Sequence, residues 1–92
     1  MIRQFKCRDT QALLEGRRIP RFANIANVAI RKLQMLHAAQ RLESLRIPPK
    51  NRLEALKGDR KGQWSIRIND QWRVCFIWKE GAAWDVEIVD YH

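Results

Sequence analysis

The last third of the sequence alternates between apolar and polar residues with a period of two. Trp64, Ile66 and Ile68 alternate with Ser65 and Arg67. This period places alternate side chains on opposite faces of a β-strand. The segment therefore predicts strands with one apolar face, and a second layer of structure must cover that face.

Two further runs continue the alternation. Their apolar positions, which we assign to the same covered face, are Trp72, Val74, Phe76 and Trp78 in one run and Trp84, Val86 and Ile88 in the next. Matching the apolar faces of the first two strands pairs Ile66 with Val74, leaves a three-residue loop and places Arg67 directly opposite Arg73. Val89 and Tyr91 then share the face of the two arginines.

The first half of the chain predicts helices. Polar and apolar residues recur at three- and four-residue spacing over residues 21–41, which indicates an amphipathic helix with one face on the sheet. A shorter helix precedes it and ends at Gly16. Residues 2–5 suggest a first strand, and a Pro-Pro pair makes residues 43–51 a loop. We expect one α+β domain, residues 1–92, with two N-terminal helices on one face of a mostly antiparallel sheet.

The positive charge is concentrated in the first two thirds of the chain. Residues 1–62 hold 15 basic and 5 acidic residues, a net charge of +10, whereas residues 63–92 have a net charge of −2. Twelve of the 18 basic residues are arginine, which binds phosphates in a forked geometry. This balance favours a nucleic-acid partner. A solvated basic surface, or one that an acidic protein covers, is the alternative.

Other classes of protein and site are not favoured. No apolar run approaches the ~20 residues of a membrane span, and the first residues lack the apolar segment of a signal peptide, so we expect a cytoplasmic protein without a membrane partner. Cys7 and Cys75 lie far apart, as do His37 and His92. Metal sites need closely spaced ligand pairs, so we predict no metal and no cofactor.

The pair of arginines on the predicted sheet is the first candidate for chemistry. Like charges directly opposite each other are unfavourable in a sheet. A bound phosphate would offset the repulsion between Arg67 and Arg73. Pairing with Asp85 or Glu87 on the next strand would offset it equally well, and the pattern alone does not decide between the two.

The end of the chain supplies proton-transfer groups. Asp90, Tyr91 and His92 carry a carboxylate, a phenol and an imidazole. RNA cleavage without a metal needs a base for the 2′-OH, cations for the charged phosphorane and an acid for the leaving 5′-oxygen. Proton transfer would fall to His92, Asp90, Tyr91 and Glu54, and phosphate binding to Lys57, Arg60, Arg67 and Arg73. Terminal residues are often frayed, so the chain end alone leaves catalysis open.

The block at residues 56–73, followed by the terminal Asp90, Tyr91 and His92, resembles the HigB toxins of the RelE/ParE superfamily, and the likeness extends over essentially the whole chain. The resemblance implies a RelE-like α+β fold and an endoribonuclease that cuts mRNA in the ribosomal A site without metal, so inhibiting translation. It also implies a HigA-like helix-turn-helix antitoxin, through which alone the toxin would contact operator DNA.

Carried over by position, the family's site residues present here are Lys57, Arg73, Asp90, Tyr91 and His92. Some members have a histidine where this chain has Glu54. Either Glu54 replaces that histidine as acid or base, or His92 acts with Tyr91 or Asp90 alone. We expect His92 to transfer a proton, while Asp90 orients its neighbours.

Two other functions compete with the ribosomal nuclease. A ParE-like toxin of the same superfamily would bind DNA gyrase, although such a binder does not require the Asp-Tyr-His end or the paired arginines. A plain RNA-binding module would need only the basic charge of residues 1–62, and its RNA binding would depend steeply on salt.

Overall fold

The sheet contains four antiparallel strands in the order in which they occur along the chain. The structure is a computed structural model and describes residues 1–91. Its strands are β1 (Glu54–Ala55), β2 (Trp64–Arg67), β3 (Trp72–Lys79) and β4 (Ala82–Asp90), and its α-helices are α1 (Arg8–Leu14) and α2 (Ala26–Ala38). Each strand pairs with the next, so the antiparallel sheet is built from short local connections.

The register of the central hairpin is confirmed. Ile66 pairs with Val74 and Arg67 pairs with Arg73. The turn between the strands is stabilised by Asn69, whose Oδ1 accepts hydrogen bonds of 2.8 Å from the backbone N–H groups of both Gln71 and Trp72. This side-chain acceptor is the type of group that turns use to satisfy free backbone donors.

The assignment of Trp84 to the covered face was wrong, because β4 contains a β-bulge. The pairing shifts by one residue between Cys75 and Ile77, and Asp85 has a φ of 52°. An extra residue in one strand reverses the side-chain alternation beyond it. Trp84 therefore pairs with Ile77, and the Lys79 Nζ lies 4.7 Å from the centre of its ring on the uncovered side.

Both helices cover the apolar face of the sheet, which confirms the predicted α+β class. The buried core joins residues of α1 and α2 to those of three strands: Leu13, Ala29, Leu33, Leu36, Ile66, Val74, Phe76 and Val86. A buried hydrogen bond reinforces this packing, because the Thr10 hydroxyl accepts the N–H of Ile88 at 3.0 Å. The helix layer is thereby fixed to one face of the sheet.

Several predicted boundaries differ from the structure. The long helix begins at Ala26 instead of residue 21, because Pro20–Phe22 forms a separate 3₁₀ turn that ends in the core at Phe22. It stops at Ala38, after which Ala39 takes an extended conformation. Tertiary packing of Phe22 thus interrupts a periodicity that runs on in the sequence.

The N-terminal segment and the loop predicted at residues 43–51 also differ from the prediction. Residues 2–5 run parallel to β4 and make only two isolated bridges with it, at Ile2 and Phe5. The predicted loop contains two 3₁₀ turns, Leu42–Arg46 and Pro49–Asn51. Within residues 1–91, no helix is both long enough and apolar enough to span a membrane.

Candidate active site

The face of the sheet opposite the helices carries the polar residues of the strands. We call it the open face and define it by Glu54, Ser65, Arg67, Arg73, Cys75, Glu87 and Val89. The register places these residues in two cross-strand rows, Glu54–Ser65–Cys75–Glu87 and Arg67–Arg73–Val89. Groups that are distant in the sequence therefore lie side by side, as paired residues in antiparallel strands do.

Arg73 is the centre of this arrangement. Its Nη1 donates a hydrogen bond of 3.2 Å to Ser65 Oγ, and its Nη2 lies 3.6 Å from Glu54 Oε1. The guanidinium also lies 5.2 Å from the centre of the Tyr91 ring, within the range of a cation–π contact. Its side chain is only 16% exposed, whereas that of Glu54 is 52% exposed. The guanidinium is thus held in place, with a carboxylate and a phenol beside it.

Arg67 forms its ion pair with a carboxylate that lies outside the sheet. Its Nη2 donates to the Asp70 carboxylate in the following turn, and the side chain of Asp70 is 97% exposed. An ion pair with so exposed a carboxylate is weak. The sequence had left open a pairing of the two arginines with Asp85 or Glu87, but their ion-pair partners are Asp70 and Glu54.

Glu87 binds Arg60 instead. The Arg60 Nη1 donates to Glu87 Oε1 at 2.9 Å and to Gln63 Oε1 at 3.0 Å, and Lys6 Nζ lies 3.9 Å from the same carboxylate. The hydrogen bond to Glu87 raises the pKa of Arg60, against the smaller effect of its burial. Arg60 follows β1, so its side chain reaches across the sheet to β4. The cation is fixed over the open face, next to the row that holds Arg73.

Cys75 is buried in this polar row. It lies between Ser65 and Glu87, and burial raises the pKa of its thiol to about 11, although the nearby cations Arg60 and Arg73 act in the opposite direction. A thiol with so high a pKa is not a nucleophile near neutral pH. Cys75 is therefore part of the support of the site and not of its chemistry.

Asp90 and Tyr91 lie on opposite sides of the sheet. Asp90 pairs with Trp72, whose ring packs edge-on against Phe22 on the helix side. The Gln71 Nε2 donates to Asp90 Oδ2 at 3.1 Å, and the Gln71 carbonyl accepts the N–H of Tyr91. Asp90 thus braces the hairpin turn against the chain end, whereas Tyr91 lies beside Arg73.

Residues 5–92 match the family model of HigB-like toxins, described as the RelE-like toxin of the type II toxin–antitoxin system HigB. The chain belongs to this family. The matched range contains all the residues of the open face and the terminal residues that carried the resemblance. The identification as a HigB toxin of RelE-like type is confirmed.

Curated relatives agree with this assignment. Toxin HigB-1 of Vibrio cholerae is 51% identical over 61 residues, which cover 66% of this chain and 64% of the relative. Endoribonuclease HigB of Proteus vulgaris is 44% identical over 41 residues, 45% of each protein. An uncharacterised protein of Haemophilus influenzae is 40% identical over 57 residues, 62% of this chain and 54% of that protein. These alignments span less than two thirds of each relative's length.

The structure of this HigB-like toxin brings together some of the predicted site residues. Arg73 contacts both Glu54 and Tyr91, and Arg67 is the cross-strand neighbour of Arg73. Arg60 approaches from the adjacent row. Together these groups provide several cations, an exposed carboxylate and a phenol on one surface, which suits them to a phosphate and to proton transfer.

Two other predicted residues are placed apart from the cluster. Lys57 is exposed at the start of the Gly58–Arg60 turn and, within residues 1–91, makes no hydrogen bond or ion pair through its side chain. Asp90 is paired on the helix side. His92 lies outside the described residues, and no cluster of three or more potential metal-ligating His, Cys, Asp or Glu residues occurs among residues 1–91.

The sequence reasoning missed the supporting role of Ser65, and it considered Glu87 only as a partner of Arg67 and Arg73. Ser65 holds the Arg73 guanidinium, and Glu87 holds that of Arg60. Both lie in one cross-strand row, so the predicted register would have found Ser65 as a polar neighbour of the arginines. Only the fold reveals the Glu87–Arg60 contact, because it joins a strand to a turn.

Proposed function

We propose that this HigB-like toxin is an endoribonuclease that cleaves mRNA codons in the ribosomal A site, without a metal ion, and so inhibits translation. The observation that carries the proposal is the environment of Arg73, a largely buried guanidinium that contacts Ser65, Glu54 and Tyr91. The Proteus vulgaris relative is named endoribonuclease HigB, and this name supports the same activity.

The reaction begins with attack of the ribose 2′-oxygen on the adjacent phosphorus. Glu54 accepts the proton of the 2′-OH, because its half-exposed carboxylate lies beside the cation that would hold the phosphate. The P–O5′ bond breaks and His92 donates a proton to the leaving 5′-oxygen. The products are a 2′,3′-cyclic phosphate and a 5′-hydroxyl, so atoms and charge balance.

The arginines stabilise the charged phosphorane. Arg73 and Arg67 provide two guanidinium groups from paired strands, and Arg60 adds a third from the next row. Lys57 adds an exposed positive charge before the Gly58–Arg60 turn. Positive groups that are fixed before the reaction stabilise a transition state more effectively than groups that must reorganise. Tyr91 offers its ring to a nucleobase, and Asp90 positions the chain end through Gln71.

The proposed activity also indicates the partners and the cellular location of the toxin. The net charge of +10 on residues 1–62 suits backbone contacts with ribosomal RNA, which orient the enzyme without reading sequence. The type II system implies an antitoxin, which we propose to be a HigA-like helix-turn-helix protein that connects the toxin to operator DNA. A ribosomal substrate places the protein in the cytoplasm.

The proposal is tested by mRNA cleavage in a reconstituted translation system, with and without ribosomes. Wild type is compared with Arg73→Ala and with Arg17→Ala, a matched control that removes an exposed arginine of a distant turn. We expect cuts at A-site codons that require ribosomes, a loss of roughly 10²–10³-fold in rate for Arg73→Ala, and no loss for Arg17→Ala. Folded wild type that cuts no mRNA but inhibits DNA gyrase would contradict the proposal.

A further inference from the structure

A second cationic surface lies at the edge of the open face. A groove of about 580 Å³ runs between α2, the Pro49–Asn51 turn and the end of β2. Its cations are Arg31 and Lys32 of the helix, Lys50 of the turn and Arg67 of the strand, and no acidic side chain among residues 1–91 lines it. Such a concentration of positive charge with no lining carboxylate favours an anionic ligand.

Lys32 is fixed within this groove. Its Nζ donates a hydrogen bond of 2.6 Å to Asn51 Oδ1, and the fully buried Asn51 is itself held by a 3.0 Å bond from its Nδ2 to the Leu45 carbonyl. Burial, followed by repulsion from Arg31 and Lys50, lowers the pKa of Lys32. The groove therefore keeps an ammonium group in place among other cations, at a cost that a bound anion would offset.

Apolar side chains make up much of the rest of the groove. Val28 and Met35 of α2 and Ile68 at the end of β2 line it, together with the amide of Asn69. The volume lies within the range of pockets that hold small organic ligands. Cations beside an apolar surface match a nucleotide, since the phosphate meets the charge and the base packs on the apolar groups.

Arg67 connects this groove to the candidate active site. It lines the groove and is also the cross-strand partner of Arg73. The exposed Asp70, which pairs with Arg67 in the free protein, is readily displaced by a phosphate. We propose that the groove binds RNA, and that it holds the nucleotides that flank the scissile phosphate of the strand being cut. The identity of that strand rests on the proposed function, whereas RNA binding in the groove does not.

The test measures binding of a single-stranded RNA that cannot be cleaved, because its 2′-hydroxyls are methylated. The groove variant Arg31→Gln/Lys50→Gln is compared with the control Arg17→Gln/Arg18→Gln, and each removes two exposed cations. Fluorescence anisotropy over a range of salt concentrations gives the binding constant and its salt dependence for an oligonucleotide of roughly ten nucleotides and for a dinucleotide.

We expect the groove variant to bind the longer RNA more weakly and with a salt slope shallower by about 1.4, since each lost phosphate contact on a single strand contributes about 0.7. The control retains the wild-type slope, and for the dinucleotide, which has a single internucleotide phosphate, the slope of the groove variant falls by no more than about 0.7. Equal weakening in both double variants would reduce the effect to net charge and overturn the proposal.

Two further outcomes separate the groove from the nuclease activity. If the groove variant keeps wild-type RNA binding but loses its affinity for the antitoxin, the groove is a protein-binding site and the proposal fails. If wild type cuts no mRNA on ribosomes but the difference in salt slope persists, the nuclease proposal fails while RNA binding in the groove stands.

Discussion

The two faces of the sheet are made from alternate residues of the same strands, yet one is apolar and the other carries charged and polar side chains. On the helix side, Ile66, Val74 and Phe76 are fully buried in an apolar core. On the open face, Arg67 and Arg73 take partners from a turn and from the edge strand. If the proposed function is correct, substitutions one position apart in the same strand are expected to lower stability in one case and activity in the other.

The largest effect on activity is expected from Glu54→Gln, which keeps the shape of the side chain but removes its capacity to accept a proton. General-base catalysis contributes roughly 10²–10⁴-fold to a rate, and we expect a loss of that size in single-turnover cleavage on programmed ribosomes. The midpoint of urea unfolding stays unchanged, because the carboxylate lies at the exposed edge of the sheet.

Glu43→Gln provides the matched control for this substitution. Glu43 also pairs with an arginine, Arg41, but in an exposed turn away from the sheet. It is expected to cleave at the wild-type rate. A Glu54→Gln toxin that cleaves as fast as wild type would remove Glu54 as the base and would leave His92, with Tyr91 or Asp90, to transfer the protons.

A second comparison sets the two faces against each other within β2. Ile66→Ala leaves a cavity in the core, and its free energy of unfolding is expected to fall by about 2–5 kcal/mol. Arg67→Ala is expected to lower the same quantity by less, about 1 kcal/mol, because its ion pair is with an exposed carboxylate and the substitution removes mainly the packing of its aliphatic stem. Urea denaturation of both variants measures the difference, and equal losses would mean that the open face also stabilises the fold.

The hairpin and the pairing of its two arginines were predictable because both depend only on residues that lie close together in the sequence. Side chains in a strand alternate strictly, so aligning the apolar residues of two adjacent strands leaves one register in which Arg67 meets Arg73. The same reasoning placed the helices on the apolar face. Glu54 was named as a candidate for proton transfer by its chemistry, but its contact with Arg73 was not predicted, because it depends on a strand of two residues, Glu54–Ala55, that has too little pattern to be recognised.

Features set by long-range geometry could not be predicted in this way. The bulge at Asp85 depends on how β4 curves, and it moved Trp84 to the other side of the sheet. The contact between Arg60 and Glu87 joins residues 27 positions apart and has no periodic signal.

The smallest expected effect tests whether water is excluded from the open face around Cys75. Burial raises the pKa of this thiol from 9.0 to about 11 in the folded protein. Below pH 9 the thiol is neutral in both the folded and the unfolded state, so its contribution to stability is fully present there. As the pH rises from 9 to about 11, the unfolded chain loses this proton and the folded chain retains it.

The free energy of unfolding is therefore expected to fall across this interval, by up to about 1.4 kcal/mol per pH unit from this group. Urea unfolding at several pH values measures the decline for wild type and for Cys75→Ala, in which the part due to the thiol disappears, while Cys7→Ala retains it. If wild type and Cys75→Ala decline equally, water reaches the thiol. Arg60 and Glu87 would then not shield Cys75 from water, and the proposed fixed position of the Arg60 guanidinium on the open face would be contradicted.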